Sequence, residues 1–271
     1  MIVTGTSFRA EALRIGEGAS APSTRALPEE VPVALVYDGS TQAVMMATPA
    51  DLEDFAVGFS LTEGIVTAAD QIEDMSIAQH DAGIEVRMWL ASERGTALTR
   101  RRRAMTGPVG CGLCGIDSLR EATRDLPHVT ATPALTIPQI TGATDALRDA
   151  QPLHDETRAV HAAGFVSPDG LIYAREDVGR HNALDKVIGA LARQGIDPAT
   201  GAFVLTSRVS IELVQKTALA GCGMLIAVSS PTAHALRLAQ DAGITLVALA
   251  KGGTAEVFTH PTRIEGAAHV A

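Results

Sequence analysis

Met224-Leu225-Ile226-Ala227-Val228, followed by Ser229-Ser230-Pro231-Thr232, reads as a buried strand running straight into a helix start. Five apolar residues are too few for a buried helix, and a serine before a proline suits a cap and first turn. Working outward, Ala235, Leu238, Ala239 and Ala242 recur at helical spacing, Gly243 stops that helix, and residues 245–249 return as a strand. Upstream, residues 202–206 read as a strand, Ser207 as a cap, and Ile211, Val214 and Ala218 as an apolar stripe ending before Gly221. Further upstream lies a hairpin, residues 161–166 and 171–174 around Pro168-Asp169-Gly170, then a helical face of Leu184, Val187, Ile188 and Leu191. The order ββαβαβαβ predicts a three-layer α/β sandwich with much parallel pairing.

The first half predicts a smaller α+β domain. Val31-Pro32-Val33-Ala34-Leu35-Val36-Tyr37 is a strand closed by Asp38-Gly39, and residues 42–47 follow as its hairpin partner. Thr48-Pro49-Ala50-Asp51 offers a cap, an early proline and an acidic residue, and Leu52, Phe55, Ala56 and Phe59 then recur at helical spacing, with Gly64 as stop. Residues 84–90 predict another strand. Residues 1 to 30 lack a period and read as a loosely attached arm. Three prolines in residues 127–138 mark the expected boundary, with domains at 1–130 and 131–271.

Composition narrows the function classes. Acidic residues outnumber basic ones, 31 to 22, for a net charge of −9, so no global field draws the chain to nucleic acid or an anionic membrane. The N-terminal residues lack a secretory pattern, and the apolar runs are about a quarter of a membrane span, so a cytoplasmic protein is expected. Three cysteines, two of them crowded together, argue against a disulfide framework.

Those two form Cys111-Gly112-Leu113-Cys114-Gly115, preceded by the arginine run 100–103 and Thr106-Gly107-Pro108-Val109-Gly110. The segment reads as a glycine-rich loop, with a short helix opening at Asp117. Nearby cations and backbone amides favour the thiolate, the nucleophilic form. Spacing alone leaves a redox dithiol, half of a zinc site, a sulfur carrier or an inert turn. A preceding thioredoxin-like βαβ pattern and a second ligand pair are both missing, although two chains could share one zinc. Cys222, between Gly221 and Gly223, reads as a small buried side chain.

Residues 175–186 place eight polar groups in twelve positions where a strand meets a helix. Strand ends feeding helix N-termini are where open α/β sheets bind ligands, and exposed amides there suit phosphate. Arg180 and His181 fall off the apolar face and are the binding candidates. Asp177 reads as an N-cap, whereas Asp185 and Lys186 stand between site residues and exposed neighbours. Lys251-Gly252-Gly253 after the last parallel strand offers a cation and close backbone approach, or a plain β-turn.

These segments, with Ser229 to Thr232, Thr48 to Phe59, residues 160–163 and Thr206-Ser207-Arg208, resemble the FdhD/NarQ family of formate dehydrogenase accessory proteins. The resemblance spans about residues 31 to 260. It implies a sulfurtransferase that takes persulfide sulfur from a cysteine desulfurase and passes it to the bis-molybdopterin guanine dinucleotide cofactor before insertion into apo-formate dehydrogenase. Cys111 would carry the persulfide and Cys114 would assist or resolve it. The cofactor, including its guanine nucleotide part, would bind Ala248, Leu249, Ala250, Lys251, Gly252 and Gly253 together with Arg180, His181 and Asn182. Leu249 and Lys251 stand where the family usually has an aromatic residue and an arginine, which implies weaker stacking and phosphate contacts. The resemblance further implies a homodimer, no metal of the protein's own, and a cytidine-deaminase-like fold for the second domain. Deaminase chemistry does not follow, since the H-x-E and P-C-x-x-C pattern is missing there. A cofactor chaperone without sulfur chemistry remains the competing function.

Overall fold

The computed structural model describes residues 5–91 and 125–267. The arginine run, Cys111, Cys114 and the helix expected at Asp117 lie outside the described residues. The chain opens with β1 (Ser7–Gly16) and β2 (Ala19–Pro28), then β3 (Val31–Tyr37), β4 (Ser40–Ala47), α1 (Leu52–Thr62), β5 (Ile72–His80) and β6 (Gly83–Leu90). After the cysteine segment come α2 (Ile137–Asp149), α3 (Pro152–Thr157), β7 (His161–Ser167), β8 (Gly170–Asp177), α4 (Arg180–Arg193) and β9 (Ala202–Leu205). The chain continues with α5 (Ile211–Leu219), β10 (Met224–Ala227), α6 (Ala233–Asp241), β11 (Thr245–Lys251) and β12 (Thr254–Val257).

The expected ββαβαβαβ order is present as β7 to β11, with β12 added antiparallel on the outer edge. These strands form one sheet in the order β12-β11-β10-β9-β7-β8. Strands β9, β10 and β11 pair in parallel, and β7 runs antiparallel to both β8 and β9. Helices α4, α5 and α6 pack on one face through Leu184, Val187, Leu191, Leu213, Val214 and Ala239, against Phe165, Phe203, Leu225 and Leu246. Helix α2 covers the other face with Ile140, Ala143 and Leu147, against Val204, Ile226 and Val247. Three layers result, because β9 and β10 are buried on both faces and need a helix on each.

A second sheet, ordered β4-β3-β6-β5, packs one face on α1 through Val33, Leu35, Phe55, Phe59, Val86 and Met88. Its turn at Asp38-Gly39 has φ of 48° and 75°, as a two-residue hairpin of this hand requires. The two sheets are joined where α1 crosses α4 at Gly58 and Gly189. A Cβ on Gly58 would lie 1.8 Å from the Asp185 carbonyl oxygen, and one on Gly189 would lie 1.8 Å from that of Asp54. Both glycines are therefore required by backbone contact. Asp54 beside the crossing receives Arg175 at 2.8 Å and Arg193 at 2.5 Å.

Several expectations change. Residues 7–28 form a regular hairpin with a ten-pair register instead of a loose arm. Its small and polar residues carry no hydrophobic period, yet a two-stranded ribbon pairs through its backbone and tolerates Pro22 and Pro28 at its open edges. Helix α1 starts at Leu52 behind Asp51, which has φ 51°, and Thr48 is not its cap. Ser210 and Thr232, not Ser207 and Ser230, precede α5 and α6. Residues 127–136 run beside the six-stranded sheet, where the Val129 N–H donates to the Ala242 carbonyl at 2.8 Å. Helix α2, unforeseen, had its signal in Thr136 and Gln139, which form a capping box.

Candidate functional site at the carboxyl edge of the six-stranded sheet

Since β8 to β11 all run one way, their carboxyl ends share one edge, together with the start of the antiparallel β7. His161 begins β7 opposite Asp177. Gly179 is the N-cap of α4, so Arg180 and His181 emerge in its first turn. The loops after β9 and β10 are bridged, with the Val209 N–H donating to the Ser230 carbonyl at 3.3 Å and the Thr232 N–H to that of Val209 at 3.0 Å. The start of three helices and the end of β11 thus converge on this edge, which suits an anionic ligand.

Arg180 has a buried Nε that finds no hydrogen-bond partner among the described residues. A guanidinium nitrogen left unpaired is costly unless a ligand completes it. His181 places Nε2 3.3 Å from Ser210 Oγ and 3.8 Å from Glu212 Oε2. Burial first, and then the charge of Arg180, push its imidazole down to about 4. It is neutral at pH 7, so its contact with Glu212 is not an ion pair. Burial followed by Arg180 also lowers the pKa of His161.

The end of β11 and the turn that follows it form two distinct parts. Leu249 has φ 52° and lies in a bulge that puts an extra residue between the Ala248–Glu256 and Lys251–Thr254 pairs. Gly252 and Gly253, with φ of 59° and 76°, make the turn of the β11–β12 hairpin, so the β-turn reading holds for them. Ala248 and Ala250 point inward and are fully buried, whereas Leu249 is 40% exposed.

Asn182 is 3% exposed and turned inward, its amide nitrogen donating to Met46 O at 2.8 Å and Asp177 Oδ1 at 2.9 Å. Asp177, read as an N-cap, instead accepts from the Gly179 N–H at 2.8 Å, the Thr48 N–H at 3.0 Å and Lys186 Nζ at 2.7 Å. Lys186 and Asp185 are not exposed neighbours, since both are buried. Asp185 pairs with Lys216 at 2.9 Å and accepts from Thr62 Oγ1 at 2.8 Å. Burial raises its carboxyl to about 6, so the pair is charged at neutral pH.

Sequence reading missed Thr48, Lys216 and Ser210 as members of these networks. The available signal was periodicity: Asn182, Lys186 and Gly189 form a second inward face of α4, opposite Leu184, on a helix buried from two sides. Cys222 is fully buried, with Sγ 3.3 Å from the Met224 carbonyl, and burial pushes its thiol up to about 12. Among the described residues no group of three or more metal-binding side chains occurs, and no helix is long and apolar enough to cross a membrane.

With the edge and its groups in place, comparison with known proteins adds the lineage. The FdhD/NarQ family profile matches residues 28–265. The chain belongs to the FdhD/NarQ family. Its relatives include the sulfur carrier protein FdhD of Agrobacterium fabrum, 53% identical over 250 residues that cover 92% of each chain. The sulfur carrier protein FdhD of Cupriavidus necator is 48% identical over 269 residues, 99% of this chain and 93% of that one. A crystal structure from Desulfotalea psychrophila, assigned as a formate dehydrogenase accessory protein, superposes with a TM-score of 0.78 at 25% identity. That match covers 96% of this chain and all of the other.

Proposed function

We propose that the chain is a sulfur carrier that loads sulfur on Cys111 and delivers it to a molybdenum cofactor bound at the carboxyl edge of the six-stranded sheet. The observation that carries this reading is the FdhD/NarQ membership, with relatives named as sulfur carriers, in a chain that holds Cys111 and Cys114. A cysteine desulfurase is the donor. The Cys111 thiolate attacks the outer sulfur of the donor persulfide, the new S–S bond forms on Cys111, and the donor cysteine leaves as a thiolate. The outer sulfur then passes at the sulfide level to the acceptor, the bis-molybdopterin guanine dinucleotide cofactor on its way to apo-formate dehydrogenase, as the Cys111 S–S bond breaks and the Cys114 thiolate supplies the two electrons by forming a Cys111–Cys114 disulfide. Where no acceptor takes it, the Cys114 thiolate attacks the inner sulfur and expels hydrosulfide, leaving a Cys111–Cys114 disulfide.

The acceptor's phosphates and guanine fit the sheet edge. Arg180 brings a buried Nε that is unpaired among the described residues, neutral His181 offers a hydrogen bond without competing charge, and Leu249 and Lys251 stand at the bulge and at the end of β11. Asn182 supports the site from beneath, while Ala248, Ala250, Gly252 and Gly253 shape the backbone that presents Leu249 and Lys251. The working form is a cytoplasmic homodimer.

Intact mass spectrometry after incubation with a cysteine desulfurase and cysteine tests the mechanism. Wild type is expected to gain one sulfur atom that reduction removes, and Cys111→Ala to gain none. No gain in wild type, with the desulfurase active on another acceptor, would leave the chain as a cofactor chaperone.

A further inference from the structure

We propose that Thr48 is a positioning residue for the nucleotide edge: it locks the start of α4, and with it Arg180 and His181, to the end of the four-stranded sheet. The inference rests on the cofactor-binding reading of that edge. Thr48 follows β4 and is fully buried. All three of its polar groups reach one distant segment, and its carbonyl accepts in addition from the nearby Ala50 N–H at 2.8 Å. Its N–H donates to Asp177 Oδ2 at 3.0 Å, its Oγ1 accepts from the Val178 N–H at 3.1 Å, and its carbonyl accepts from Lys186 Nζ at 3.1 Å. None of these bonds serves α1, the helix that Thr48 precedes in sequence.

Asp177 and Lys186 are both fully buried, and a buried ion pair persists only when its remaining lone pairs and protons are matched. Thr48 supplies one partner to each. The remaining partners come from the same turn, with the Gly179 N–H and Asn182 Nδ2 on Asp177 and the Glu176 carbonyl at 3.3 Å from Lys186. A Cβ on Gly179 would meet Asn182 Nδ2 at 2.8 Å, so a side chain there would displace the Asn182 amide from Asp177. The turn 177–179 therefore has one arrangement. Arg180 and His181 follow it directly, so their direction toward the edge is set by a residue of the other sheet.

Thr48→Val keeps the shape and both backbone groups but removes the acceptor of the Val178 N–H, whereas Thr48→Ser keeps that acceptor. GDP serves as probe for the guanine nucleotide, measured by calorimetry, alongside the His181 imidazole signals in NMR spectra at pH 7. Thr48→Val is expected to weaken GDP binding about fivefold, the consequence of losing one buried hydrogen bond. It should also displace the His181 signals, and Thr48→Ser should restore both. A purely structural Thr48 would lower the melting temperature while affinity and His181 signals stay as in wild type, which overturns the proposal. If wild type does not bind GDP, the cofactor reading fails and the His181 signals alone decide the positioning role. Should Thr48→Val not fold, Thr48→Ala is carried through the same two measurements.

Discussion

The two sheets solve the same burial problem differently. The four-stranded sheet is covered by α1 on one face and keeps Val44, Met46 and Trp89 exposed on the other, so β6 and the first five positions of β3 alternate between buried and more exposed positions. In the six-stranded sheet β9 and β10 are buried at every position, because helices lie on both faces. Strands with both faces covered meet the outside chiefly at their ends, and the arginine, histidine and helix starts of the candidate site are found there. A sheet open on one face spreads its exposed groups instead.

This contrast is tested first by truncating one large side chain from each sheet. Phe203 is fully buried in β9 and makes an edge contact with Phe165 at 5.7 Å between centroids, so Phe203→Ala should lose about 3–5 kcal/mol in urea unfolding. Trp89, 40% exposed on the open face, should lose under about 1 kcal/mol on change to alanine. Equal losses would mean that the open face is covered by something in solution.

Next comes the seam. Gly189→Ala forces a methyl group to within 1.8 Å of the Asp54 carbonyl, so α1 and α4 must separate, at about 3 kcal/mol. An unchanged urea midpoint would refute the close crossing and, with it, the fixed relation between the two sheets.

The smallest effect concerns pH. His181 is held at about 4, below its ordinary 6.5, so the unfolded chain binds the extra proton first as acid is added. Its contribution is full above pH 6.5 and is lost as pH falls toward 4. Asp185, raised to about 6, acts oppositely: its contribution is full below its ordinary 3.8 and is lost as pH rises through 6. Removing the histidine by His181→Gln should therefore leave a chain whose stability at pH 5, relative to pH 7, exceeds that of wild type. Urea midpoints at both values decide it, and an unchanged ratio would mean that His181 titrates alike in both states.

Sequence by itself determined the alternation of strands and helices from His161 to Lys251, because short apolar runs punctuated by glycine and capping residues have few other readings. It also singled out the candidate residues, since Cys111, Cys114, Arg180 and His181 stand out against their surroundings by residue type. Local chemistry was legible because it depends on neighbours a few positions away.

Tertiary structure alone decided which polar groups of that segment stay at the sheet edge. Arg180 and His181 remain at the edge, while Asn182, Asp185 and Lys186, within a few residues of them, are sealed beneath it by groups 31 to 138 positions distant. No periodicity announces that Thr48 bonds to Asp177, Val178 and Lys186, because pairing across the seam depends on where two glycines let two helices touch. The same holds for the β1–β2 hairpin, whose regular register comes from backbone pairing with little side-chain burial to mark it.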